Sequence, residues 1–458
     1  VGLHIFFLIL YVAVSYIFPI ESLVNVLLLA HCSIALLLDI RQKKKLYVMS
    51  TYYIGVMLAT FANLLFVIKV QTVGIGENSM YHYIIPEYID DATLLWAVGN
   101  SAIFAGYQFF SRNSLPPITV TINNKAVIRN LFYFIFVFTL MRVMGSAIRF
   151  SVLGGGFEKV LNLLAVIGIL FYARLWTKEN NNTYKNYAIV LCAMQVMIAL
   201  GSFLRSDLIT PFFSFFCGYF LGKGQLKYLF SYRVLPILIF VVVFAKFFDS
   251  LGGNRSNFLA AFTEGPIRDN TSYTYNIDEQ DRGGVLQRSS NITQLTNVIK
   301  LTRAKGYYEG AASAPLLAAF IPRFIWPDKP QIQLGAWFAL EIGVATINDM
   351  GRANNSINMT VPGQLFLDFG WLGLVLGCFL FGGLLSLFWN AAHFNDTPYN
   401  LTGTLWGGYM LLYAFGGMGA DLQIVVSLIS TYLAFLIIKK ILVQHEKSTL
   451  NRAALARK

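Results

Sequence analysis

Phe369-Gly-Trp-Leu-Gly-Leu-Val-Leu-Gly-Cys-Phe-Leu-Phe-Gly-Gly383 carries no charged side chain, and its glycines recur at helix-packing intervals. A helix of this composition is apolar on every face, and its small residues let another helix approach closely. The apolar run widens to 360–389, with Asp368 near its start as its only charged residue. That is long enough to cross a bilayer with some tilt.

Outward from this run the pattern repeats. Further apolar blocks fall at 3–20, 23–40, 46–68, 91–110, 126–145, 159–176, 187–205, 207–222, 230–248, 401–417 and 422–441. Most approach the roughly 17–25 residues that a membrane helix needs. The first is read as a retained helix, because it has neither a basic leading region nor a small-residue cleavage site. Composition agrees: 56% of the 458 residues are hydrophobic and 13% are charged, against about 25% charged in soluble domains. Mean hydropathy is +0.59. The expected fold is an all-α polytopic membrane protein of about 12 transmembrane helices, with one large extracytoplasmic loop containing short helices. Its expected parts are 1–248, a first set of membrane helices; 249–355, the loop; 356–441, the last membrane helices; and 442–458, a basic cytoplasmic tail.

Net charge is +12. In such a chain the excess belongs to cytoplasmic loops rather than to a nucleic-acid partner, for which no motif is present. Arg41-Gln-Lys-Lys-Lys45 fixes the cytoplasmic side. By alternation 112–129, 174–185, 222–233 and the C-terminal tail join it, which leaves 249–355 facing outward. Cys32, Cys192, Cys217 and Cys378 lie inside apolar blocks without CxxC spacing and read as small buried hydrophobes. No metal-ligand cluster and no GxxxxGK[ST] phosphate loop is present, so neither metal nor cofactor is expected.

The outward stretch concentrates the chemistry. It carries Arg255, Arg268, Arg282, Arg288, Arg303, Arg323 and Arg352, and a stiff knot, Ile321-Pro-Arg-Phe-Ile-Trp-Pro-Asp-Lys-Pro330. Three prolines fix φ at three points and restrict the residues before them, so Arg323 and Lys329 are presented without helix or sheet. Arginine is a permanently charged fork that grips phosphate through two donors. With Arg149 and Arg205 from earlier outer turns, these residues suit a diphosphate head group. Each arginine alone also fits snorkelling or pairing with a nearby acid. Among acids, Asp207, Asp249, Asp281, Glu341, Asp349 and Asp368 could serve proton transfer, and none is selected. Glu87, Asp90 and Asp91 read as a solvated helix start. Asn354, Asn355 and Asn358 precede the run at 360–389 and suit either sugar hydroxyls or a helix cap. Short helices are expected at 287–304, 311–320 and 334–342.

Three segments resemble the bacterial O-antigen and exopolysaccharide repeat-unit polymerases (Wzy-type, of the GT-C glycosyltransferase superfamily). They are Arg282-Gly-Gly-Val-Leu-Gln-Arg288, the Pro322–Pro330 segment, and Gly363-Gln-Leu-Phe-Leu-Asp-Phe-Gly-Trp-Leu-Gly373. Leu200-Gly-Ser-Phe-Leu-Arg-Ser-Asp207 resembles the arginine-bearing outer turn that this family shares with O-antigen ligases. The resemblance implies a multi-pass enzyme of the bacterial inner membrane with its active face outward. It would be a metal-independent glycosyltransferase joining polyprenyl-diphosphate-linked oligosaccharides, donor to acceptor. Membrane lipid surrounds such an enzyme, and a chain-length regulator and a flippase are the partners implied. Carried over by position, Arg205, Arg288 and Arg323 hold the diphosphate, with Arg149, Arg255 and Arg352 in support. Arg282, Lys329, Trp326 and Asn355 are further substrate-binding candidates, and Asp207 and Asp349 are candidates for the acid–base role. The ligase branch has a histidine where this chain reads Asn354-Asn-Ser-Ile-Asn358. A ligase and a lipid-linked oligosaccharide flippase or transporter remain the alternatives. A transporter calls for polar groups at mid-membrane and broken helices; Arg142 and Asn63 are the sequence's partial hints of these.

Overall fold

The structure is a computed structural model. It describes residues 1–17, 21–43, 48–73, 85–122, 124–145, 155–202, 205–223, 290–319, 326, 333–347, 353, 356–394, 397–416, 422–433, 436 and 439–440. Among these residues it is all-helical, with no strand beyond two isolated bridges. In chain order the helices are α1 (Gly2–Ile17), α2 (Glu21–Lys43), α3 (Val48–Val73), α4 (Ile89–Phe109), α5 (Lys125–Gly145), α6 (Gly155–Glu179), α7 (Asn182–Ser202) and α8 (Arg205–Lys223). Then come α9 (Ile292–Lys305), α10 (Pro315–Ala319), α11 (Leu334–Glu341), α12 (Val361–Ala392), α13 (Leu401–Gly416) and α14 (Gln423–Leu433). Helices therefore stand at eleven of the twelve expected blocks; the block at 230–248 lies outside the described residues. Three are long and apolar enough to cross a membrane: Leu23–Arg41, Val48–Ile68 and Val361–Ala392. Gly2–Ile17 and Gln423–Leu433 are apolar but shorter.

α4 is the axis of the larger core. Seventeen of its 21 residues are buried, which requires partners on every side. Its small residues make that feasible. A Cβ on Gly106 would sit 1.9 Å from the Phe379 carbonyl oxygen, and one on Gly382 would sit 2.0 Å from that of Ile103. α4 and α12 thus touch backbone to backbone, the role expected of the glycines in 369–383. Gly99 receives Pro362 in the same seam. α1, α2 and α9 also pack on α4, and α3 lies against α2 and α13.

A second core joins α5, α6 and α7 through Ile128, Phe132, Ile135, Ile169, Tyr172 and Leu191. The rings of Phe132 and Tyr187 stack there, 3.9 Å apart. α8 lies on α6, where Gly218 meets the Leu170 carbonyl. α6 ties the two cores together. Its buried Arg174 donates to Thr404 Oγ1 (3.1 Å) and the Phe394 carbonyl (2.7 Å), and lies over the Phe394 ring.

The bundle has two distinct ends. At one, residues 110–122 thread across the α12–α13 turn: Ile118 N–H donates to Ala391 O, and Leu401 N–H to Val120 O. Tyr432 and Lys439 reach the same segment, on the carbonyls of Pro116 and Pro117. The opposite end holds the starts of α4, α12 and α14, together with α9, α10 and α11.

Candidate functional site

Arg205 and Asp207 fall in the first turn of α8. Trp326 is 40% exposed, between α10 and α11 in the chain. Arg149, Arg255, Arg282, Arg288, Arg323, Lys329, Asp349, Arg352 and Asn355 lie outside the described residues. What the described residues do assemble is the frame from which the arginine-bearing segments start and to which they return.

The centre of that frame is a break in α12. Gly370 has φ 65° and ψ −154° within the helix, a conformation open essentially to glycine alone. A Cβ there would also strike the Tyr307 ring at 2.6 Å. A break frees carbonyls from the regular ladder, and an outside segment takes them: Tyr308 N–H donates to Leu367 O (3.0 Å) and Glu309 N–H to Asp368 O (2.9 Å). The turn that follows reverses through left-handed Glu309 (φ 50°) and Gly310 (φ 91°). This brings Ala312 N–H to Asp368 Oδ1 (3.0 Å) and the Ser313 hydroxyl to Oδ2. One helical turn earlier, Gln364 donates to Ser313 Oγ (3.1 Å) and accepts from Leu422 N–H (2.9 Å) at the start of α14. Asp368 and Gln364 are both fully buried. The sequence offered Asp368 as one of six equivalent acids and passed over Gln364 and Ser313. The legible signal was a polar pair four residues apart, on one helical face, in an otherwise apolar run.

Ion pairs clamp the short helices onto this end. Arg303 of α9 pairs with Asp91 of α4 and lies 4.6 Å over the Tyr88 ring. Asp91 is therefore a docking partner as well as part of an acidic helix start. Lys305 and Tyr308 both donate to Glu341 of α11. These two hydrogen bonds, that from Lys305 foremost, hold the Glu341 carboxyl below its ordinary pKa. Burial foremost, and then the hydrogen bond to Glu341 and its negative charge, push the Tyr308 phenol up. Thr360 caps α12 by accepting from Gly363 N–H (3.1 Å), the task expected of the preceding asparagines. Gly335 O takes Ile357 N–H (2.9 Å), joining α11 to the lead-in of α12.

The third contact is at Asn63 of α3. Its Oδ1 accepts from Ser290 Oγ (3.0 Å) and Asn291 N–H (2.9 Å), anchoring the start of α9. The start of α9, the 308–313 turn and α11 thus all lie at one end of the bundle.

The interior is more polar than the sequence suggested. His4 Nδ1 and His31 Nε2 stand 2.7 Å apart, and Tyr11 Oη is 2.8 Å from His31 Nδ1; all three residues are buried. Asn25, Asp39, Asn63, Asn100, Gln195, Gln364 and Asp368 are buried too. The expectation that the polar load collects in the outer stretch, with Arg142 and Asn63 as partial exceptions, is corrected accordingly. It failed because residues far apart in sequence satisfy one another across helices, which hydropathy cannot register. Among the described residues, no group of three or more His, Cys, Asp or Glu side chains is placed to hold a metal. No protein-family model, curated protein or solved structure matches the chain.

Proposed function

We propose that this is a membrane glycosyltransferase that joins polyprenyl-diphosphate-linked oligosaccharides, with arginines of 249–355 receiving the diphosphate leaving group. One observation carries the reading most: the described attachments of that stretch, at Asn63 of α3, at Asp91 of α4 and at the α12 break, are on the same end of the bundle. On this reading the arginines of the segments tethered there act at that end. Positive charge there stabilises the charge that develops as a diphosphate departs. The donor's own linkage supplies the driving force, so the reaction needs no nucleotide. The reading includes an inner-membrane location with the site facing outward, and keeps ligase chemistry as its nearest variant.

A transporter of the same lipid is the second reading, favoured by the break at Gly370 and the buried polar groups. The position of the break weighs against it. Residues 371–392 alone rise about 33 Å as helix, enough for the hydrocarbon core. Gly370, Asp368 and Gln364 then sit at the membrane edge rather than the midplane.

The test is purified protein given a synthetic lipid-diphosphate repeat unit without metal or nucleotide. A ladder of longer lipid-linked glycans is expected. Arg323→Ala and Arg205→Ala should each slow elongation about a hundredfold or more while the protein stays folded. Unaltered chain growth in both variants removes them from the site, and movement of the lipid across vesicles without elongation overturns the enzyme reading.

A further inference from the structure

We infer that Asp368, with Gln364 and Ser313, is a positioning group that fixes the 308–313 turn and, through it, the start of α10. Its catalytic consequence rests on the glycosyl-transfer reading; its structural part stands on geometry alone. Asp368 is fully buried, so it does not meet substrate. Both carboxylate oxygens are engaged by one short turn, through Ala312 N–H and the Ser313 hydroxyl. The same turn gives two more hydrogen bonds to the backbone of Leu367 and Asp368, from Tyr308 and Glu309. Gln364 fixes the Ser313 oxygen from the other side.

The choice of a carboxylate follows from donor counting. Two donors arrive, and a carboxylate accepts both with no hydrogen of its own left to satisfy. Asparagine would bring two N–H groups into a space where Ser313 Oγ already accepts from Gln364. Burying a carboxylate is costly, and here that cost secures one loop geometry.

What the turn positions is the next segment. α10 begins at Pro315, two residues after Ser313, and has five residues. A helix of little more than one turn has no stability of its own, so its placement is inherited from the turn before it. Arg323 lies four residues past the end of α10 in sequence. A donor held by a displaced scaffold loses most of its transition-state value.

The experiment compares hydrogen exchange and elongation in the full-length protein for wild type, Asp368→Ala, Asp368→Asn and Ser313→Ala. In Asp368→Ala the amides of Tyr308, Glu309 and Ala312 should exchange about tenfold faster or more, while α4 amides keep their wild-type protection. Asp368→Asn and Ser313→Ala should fall in between. Elongation kcat should follow the same order with KM little changed. Asp368→Asn keeps part of the activity if Asp368 positions, and is as inactive as Asp368→Ala if it is the base. Wild-type exchange in Asp368→Ala overturns the inference. So does faster exchange with unchanged kcat, or an inactive Asp368→Asn with a protected turn. If Asp368→Ala does not fold, Ser313→Ala, which removes one hydroxyl, carries the comparison. If the wild-type protein does not elongate glycan, the functional reading fails and the exchange data alone decide whether Asp368 holds the turn.

Discussion

Glu341 accepts from an ammonium and a phenol at once, and its two partners come from opposite ends of one short stretch, Lys305 and Tyr308. The sequence shows none of this, because 33 and 36 residues separate the partners. Its pKa is lower folded than unfolded, so the stabilisation it gives is complete above the unfolded value and is lost as pH falls through the folded one. With an ordinary value of 4.5, Glu341→Gln should melt earlier than wild type near neutral pH. The two melting curves should converge as pH drops below 4.5. Lys305 is about half exposed, so the difference should stay within about 1 kcal/mol; a gap that persists at low pH assigns the effect to packing instead. His4 and His31 teach the same lesson about legibility. Each reads as an isolated histidine in an apolar block, and only the packing of α1 against α2 makes them a pair.

Helices were the most legible level, because a block of about twenty apolar residues has few other ways to satisfy its backbone. The short helices α9 and α11 could also be read, the first from its amphipathic pattern and the second from its apolar run. The break in α12 could not. Gly370 stands in a series with Gly373, Gly377, Gly382 and Gly383, and a glycine chosen for its dihedral angles looks the same in sequence as one chosen for close packing. The structure separates them: Gly370 has positive φ, whereas Gly382 abuts a carbonyl of α4. Gly382→Ala should therefore force α12 off α4 and cost about 1–3 kcal/mol, read as a lower melting temperature in detergent. Leu376→Ala on the same helix, where the side chain is 55% exposed, is the control that should stay close to wild type. Equal melting of the two variants would show that the seam tolerates a methyl group.

The two ends of the bundle make a sidedness prediction for the molecule as a whole. Single cysteines at Asn113 and at Leu317, both exposed, should react with an impermeant thiol reagent from opposite sides of sealed vesicles, Leu317 from the outer side. Labelling of both from one side would mean that the chain does not cross as the basic loops suggest. At this scale the sequence was right about class, an all-helical chain with membrane-length helices. Most of the arginines it singled out lie outside the described residues, and position in the chain is what relates them. The break at Gly370 has a last consequence, in mechanical terms. An interrupted helix is usually a place to bend, but here the carbonyls of Leu367 and Asp368, just before the gap, are tied to the 308–309 backbone. Pro362 on one side of the gap is seated against Gly99 of α4, and Gly382 on the other against the Ile103 carbonyl of the same helix. One partner thus holds both halves, so the gap behaves as a splinted fracture rather than as a hinge.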